Sequence, residues 1–126
     1  MKINDKAILK TSKEIEIRAS IDIVWKFQAD IESWVDWHRG ISEVKLNGLI
    51  EPGTQFEWKS GEFKLHSVLE EVIENKSIGW FGSGFGSSAV HVWEFIPILK
   101  GTILVRTTES MDGWFVKLFS GTMEKS

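Results

Sequence analysis

Residues 89–95 read Ala-Val-His-Val-Trp-Glu-Phe, AVHVWEF. The residues alternate, the period of a strand with two unlike faces. His91, Trp93 and Phe95 share one face; Val90, Val92 and Glu94 share the other. An unpaired carboxylate is costly to bury, so the Glu94 face is assigned to solvent and the His91 face to the interior. A buried face that carries an imidazole and an indole in place of plain aliphatics asks for a reason beyond packing.

The flanking segments give that strand its setting. Upstream, Lys13 to Ala19 alternates with Ile15, Ile17 and Ala19 inward and Glu14, Glu16 and Arg18 outward, a half-solvated antiparallel strand. Ser20 stands as a helix N-cap with Asp22 in the first turn. Val24, Phe27, Gln28 and Ile31 follow at helical spacing. Asp30 is placed to cap a second short helix carrying Trp34, Trp37 and His38, with Gly40 as its stop. Strands are then expected at Ser42–Leu46, Gln55–Lys59, Glu62–Ile73 and Ser77–Gly82, divided by the turn signals Asn47-Gly48, Pro52-Gly53, Ser60-Gly61 and Asn75-Lys76. The Gly/Ser-rich GSGFGSS run reads as a mobile loop before AVHVWEF. Lys100-Gly101 turns into a last strand, Thr102–Ser110, with Ile103, Val105, Thr107 and Glu109 on one face. After Asp112-Gly113, the residues Trp114, Phe115, Leu118 and Phe119 are spaced for a helix.

Tight turns between sequential strands make an antiparallel meander. Helices near both ends of the chain must cover one face of it, an α+β layer architecture. With 126 residues and no linker or repeat, a single domain spanning 1–126 is expected.

Composition narrows the function classes. The net charge is -3 with no basic run, against a nucleic-acid surface. The chain has no cysteine, which excludes disulfides, thiolate catalysis and zinc-thiolate sites within it. The N-terminus is too polar for a signal peptide and no apolar run is long enough to span a bilayer, so a cytoplasmic location is the expectation. His38, His66 and His91 are far apart in sequence and His66 points outward by parity, so no metal site is expected. The Gly82–Gly86 run lacks the lysine and the helix of a phosphate loop. Ser83, Ser87 and Ser88 have no visible triad partner. Seven tryptophans and eight phenylalanines, with no tyrosine, are more aromatic mass than a core of this size usually needs.

The order of elements resembles the helix-grip fold of the START-like, or SRPBCC, superfamily, in its polyketide cyclase/dehydrase-like group. The stretches that carry the resemblance are DIVWKFQADIESWVDWH, EPGTQFEWKSG, SVLEEVIENKSIGW, AVHVWEF and GTILVRTTES, from about Ile15 to Gly113. The resemblance implies a curved sheet of about seven strands, two short helices after the first strand, and a C-terminal helix from about residue 113. That helix departs from the family's long one: the sequence stops at Ser126 and contains Gly121, so it is expected to be short or truncated. The resemblance also implies a pocket for a small apolar or amphipathic ligand, no cofactor and no metal. Because the superfamily hosts many activities, no catalytic set is carried over.

By parity Glu109 points inward, and counting back from the Lys100-Gly101 turn puts His91 nearly opposite it. The pair reads as a ligand-orienting or acid–base couple, or as a structural hydrogen bond between two buried polar groups. Trp58, Trp80 and Trp93 lie on the inferred inner face, with Ser67 as a hydrogen-bonding candidate. Trp34 and Trp37, at i and i+3, are expected to share a face and, with His38, to close one end of the hollow; Phe115 is a further candidate ligand contact. An aromatic-lined hollow and a closed aromatic core both satisfy this pattern. The leading function is binding or transport of a small hydrophobic, lipid- or polyketide-like molecule. The alternatives are a cyclase or dehydratase using His91 and Glu109, and a co-chaperone-like interaction module. A homodimer stays open.

Overall fold

The computed structural model describes residues 1, 3, 9–84 and 87–113. The chain runs β1 (Leu9–Ile17), α1 (Ile21–Ala29), a 3-10 turn (Ile31–Ser33), α2 (Trp34–Trp37), β2 (Ile41–Leu46), β3 (Gln55–Ser60), β4 (Phe63–Ile73), β5 (Ser77–Gly84), β6 (Ser87–Leu99) and β7 (Thr102–Gly113). The strands form one antiparallel sheet in the order β1-β7-β6-β5-β4-β3-β2. From β2 to β7 this is an uninterrupted meander, and β1 pairs with the free edge of β7. β1 and β2 therefore lie at opposite edges. The segment between them must cross a face of the sheet, and it does so as α1, the 3-10 turn and α2. The α+β helix-grip arrangement expected from the sequence is the one observed.

Local chemistry sets the turns. Gly61 and Gly101 have φ of 60° and 77°, a region that penalises a Cβ, and each closes a tight hairpin. Asn75, the one non-glycine with positive φ among the described residues, closes the β4–β5 turn at φ 60°. Its Nδ2 donates to Asp22 Oδ1 at 2.7 Å, so the carboxylate in the first turn of α1 also ties the helix to the sheet. Ser20 occupies the N-cap position, yet its side chain makes no capping bond. The Asp30 side chain makes no capping bond to a backbone N–H either; its carboxylate accepts from Ser33 Oγ at 2.7 Å.

Bulges between Ile41 and Glu43, Leu69 and Glu71, and Pro97 and Leu99 interrupt the ladders. Bulges bend a sheet and sharpen its twist, and the one in β4 shifts parity so that Leu69 and Val72 both face the helices. On that face Val24, Trp25, Ile31 and Trp34 pack against Phe56, Leu69, Ile78, Trp80, Phe95, Ile103 and Val105. Trp25 meets Phe95 edge to face with ring centroids 5.5 Å apart.

Three expectations change. β1 begins at Leu9, four residues before the alternation starts; as an edge strand it is largely exposed on both faces there, so no apolar period marks it. Most of the Gly/Ser run is strand, with Ser83 paired to Ser88 and Gly84 to Ser87. β7 continues through Asp112 to Gly113 because β6 reaches back to Ser87 to pair with it. The helix expected from about residue 113, with Phe115, lies in residues 114–126, outside the described residues.

Phe56 is fully buried beneath α2. Phe56→Ala is expected to cost about 3–5 kcal/mol of folding stability through lost burial and a residual cavity, read as a lower urea midpoint at unchanged slope.

Candidate functional site

Two neighbouring rows of side chains cross the concave face. The first is Thr11, Glu109, His91, Trp80 and Leu69, on β1, β7, β6, β5 and β4. The second is Leu9, Met111, Ala89, Gly82, Ser67 and Phe56. Strand parity places these residues on one face; antiparallel register decides which of them stand side by side.

In the first row His91 Nδ1 lies 3.2 Å from Glu109 Oε2, with side chains 17% and 23% exposed. A carboxylate only accepts, so this contact suits the tautomer with its proton on Nδ1. In the neutral imidazole that leaves Nε2 as an acceptor. The imidazole also stacks on the Trp80 indole, with centroids 5.3 Å apart and planes 23° apart. Trp80 is 3% exposed and its Nε1 is buried without a partner among the described residues. The imidazole is thus held on two sides, by a carboxylate along its edge and a ring against its face.

In the second row Trp58 Nε1 donates to Ser67 Oγ at 3.1 Å. Ser67 is almost fully buried, and once its oxygen accepts from the indole its own proton remains to be donated. Gly82 stands opposite Ser67 because nothing larger fits: a Cβ there would lie 2.8 Å from Ser67 Oγ. Gly84 is held likewise, with a Cβ position 2.8 Å from the Lys64 carbonyl oxygen. These close approaches open a cleft of about 290 Å³, lined by Trp58, Ser67, Gly82, Ala89, His91 and Met111 among others. Ser87, also on its wall, has a buried hydroxyl without a partner among the described residues.

A second cleft, of about 400 Å³, lies between α1 and the β1–β7 edge and shares no lining residue with the first. Its walls are Ile15, Ile23, Phe27, Trp37, Trp93 and Val105 among others, and they are almost wholly apolar.

The residues singled out from sequence therefore divide. Trp58, Ser67 and His91 line one cleft, with Glu109 fixing the imidazole. Trp37 and Trp93 line the other. Trp34 and Trp80 are core: Trp34 packs against Phe56, Trp58 and Trp80 with centroids 5.3–5.8 Å apart. Trp34 and Trp37 do not share an environment, being 3% and 44% exposed. A single turn of helix points the first at the sheet and leaves the second beside Phe27 on its flank. His38 is exposed beyond the end of α2, where its Nδ1 accepts from the Gly40 N–H. Phe115 is outside the described residues. Sequence reasoning missed Gly82, Ser87, Ala89 and Met111. The signal for two of them was present: Ser87 and Ala89 continue the parity of His91 backwards along β6. Among the described residues no His, Cys, Asp or Glu cluster could hold a metal, and no helix is long and apolar enough to cross a membrane.

A family model described as polyketide cyclase / dehydrase and lipid transport matches residues 9–126. No curated protein sequence matches the chain. Among solved structures, a hypothetical protein from Helicobacter pylori aligns with TM-score 0.80 at 16% identity, over 91% of this chain and 76% of that one. A START superfamily protein from Mycobacterium smegmatis aligns with TM-score 0.74 at 16% identity, over 92% and 89%. An aromatase/cyclase from Streptomyces sp. R1128 aligns with TM-score 0.75 at 13% identity, over 83% and 68%. At these identities the likeness is one of fold.

The close approach of Gly82 to Ser67 has a measurable consequence. Gly82→Ala is expected to lose about 1–3 kcal/mol by overpacking. Adding Ser67→Ala removes the clashing oxygen, so urea denaturation of the single and double variants should show the double less destabilised than the sum.

Proposed function

The chain belongs to the polyketide cyclase/dehydrase and lipid transport family, and from that premise we propose that it binds a small apolar or amphipathic molecule in the cleft beside His91. The observation that carries this reading is the cleft wall itself. An indole, an imidazole, a methionine and an alanine meet five serines there, in a space large enough for roughly two or three fused rings. Mostly apolar walls supply burial, and a few fixed polar groups orient the guest. The family premise fits the same picture, since its description covers both carriers and enzymes.

The His91–Glu109 contact favours a second reading, that of a dehydratase or cyclase. Nε2 of a carboxylate-oriented imidazole can take a proton from carbon next to a carbonyl, with Glu109 stabilising the imidazolium. Returning that proton to a hydroxyl on the adjacent carbon expels water and leaves the double bond, so charge and atoms balance. A carrier and an enzyme of this kind would share the cleft and differ in whether turnover follows binding.

The test is a titration with the uncharged fluorescent probe N-phenylnaphthylamine. Saturable binding is expected, and Ala89→Phe, which fills the cleft, should weaken it about tenfold or more by removing the buried apolar contact. Unchanged affinity in a folded Ala89→Phe would place the guest elsewhere. For a carrier, His91→Ala should shift affinity only about two- to threefold, the scale of one modest hydrogen bond. For an enzyme, His91→Ala and Glu109→Gln should both abolish turnover while binding persists.

A further inference from the structure

We propose that the cleft beside His91 selects an uncharged aromatic compound bearing a hydroxyl and rejects its carboxylated counterpart. The inference rests on the ligand-binding reading above and adds to it the charge and the polar group of the guest.

None of the residues lining the cleft is a lysine or arginine. The Glu109 carboxylate lies 3.2 Å from the lining His91, its ionic partner among the described residues. With the imidazole neutral, the pair carries one net negative charge. Glu109 faces Thr11 on β1, not a base. Lys13 has the same parity, but it stands opposite Thr107 on the exposed edge strand. A carboxylate guest would bring a second negative charge into a partly dry space with no cation among the lining residues to meet it, a penalty that solvent screens poorly there.

The hydrogen-bonding inventory points to the hydroxyl. With its proton on Nδ1, the side that faces Glu109, the neutral imidazole offers Nε2 as an acceptor. Ser67, accepting from Trp58, offers its proton as a donor. Ser87 adds a buried hydroxyl on the same wall without a partner among the described residues. A hydroxyl donates and accepts, so it can answer both kinds of group at once. A carboxylate only accepts and leaves Nε2 unanswered, and a bare ring answers neither. The ring system itself suits the indole and imidazole faces of Trp58 and His91.

Calorimetric titration in mildly alkaline buffer with naphthol, naphthoate and naphthalene isolates the two effects. Naphthol is expected to bind about tenfold or more tighter than naphthoate, the scale of one poorly screened unit charge, and tighter than naphthalene. Glu109→Gln removes the charge at nearly constant shape and should bring naphthol and naphthoate within about threefold. Because Glu109→Gln also perturbs the site, Thr11→Lys serves as a second variant. It puts a cation directly across the strand pair from Glu109, at an exposed position, and should narrow the gap in the same direction. Naphthoate binding as well as naphthol to the native protein overturns the proposal. So does a gap that neither folded variant narrows. Failure of all three probes to bind overturns the ligand-binding reading along with it, whereas naphthalene and naphthoate binding as tightly as naphthol overturns the selectivity alone.

Discussion

The structure turns on one buried indole. Trp34 comes from a single turn of helix, too short to be stable alone, and enters the concave face of the sheet against Phe56, Trp58 and Trp80. Its Nε1 donates to the Gln28 carbonyl oxygen at 2.9 Å, so the ring spans from the end of α1 to the strands. Burying an indole removes about 200 Å² from water, worth about 5 kcal/mol. The hydrogen bond adds only about 1 kcal/mol. Packing therefore holds the helical segment down, and the hydrogen bond sets the ring's orientation.

That anchoring determines where the concave face can be open. The helices cover the Phe56–Ile78–Phe95 region, leaving a cleft on either side of the cluster with no wall in common. Trp80 belongs to both worlds. One face is packed with Trp34 in the core, and His91 stacks against it from the direction of the cleft. The imidazole that faces a guest is thus backed by the same cluster that fastens the helices to the sheet. Small residues complete the other wall. Gly82 and Gly84 let the β4 and β5 chains and the Ser67 hydroxyl approach closely, which a Cβ at either position would prevent.

The two sheet faces also differ in how charge is handled. On the convex side Arg106 lies between Glu14 at 3.7 Å and Glu94 at 4.0 Å, exposed contacts that water screens. On the concave side Glu109 is mostly covered and meets a histidine in place of a permanent cation. The same strand, β7, thus supplies a solvated basic group to one face and a sheltered acidic one to the other, through nothing more than the alternation of its side chains.

Much of the fold was legible in the residues because it is written in periods. The alternation of β6 sorted His91 from Glu94, the helical spacing of Val24 and Gln28 marked α1, and the Asn and Gly turn signals divided the meander. What the period could not supply was pairing. Edge strand β1 lacks an apolar period over its first residues because both faces are wet there, and the Gly/Ser run hides strand because its residues pack by absence of side chain. The candidate site was legible in the same uneven way. Parity alone put His91 and Glu109 on one face, and turn counting set them nearly opposite. Only the folded sheet decided that Trp80 lies beneath the imidazole, that Trp58 reaches Ser67, that Trp93 belongs to another cleft, and that Trp34 and Trp37 part company. The physical reason is common to all of these. Local sequence dictates which way a side chain points from its own strand or helix, whereas what it meets there depends on register between distant segments, and register is settled by tertiary packing.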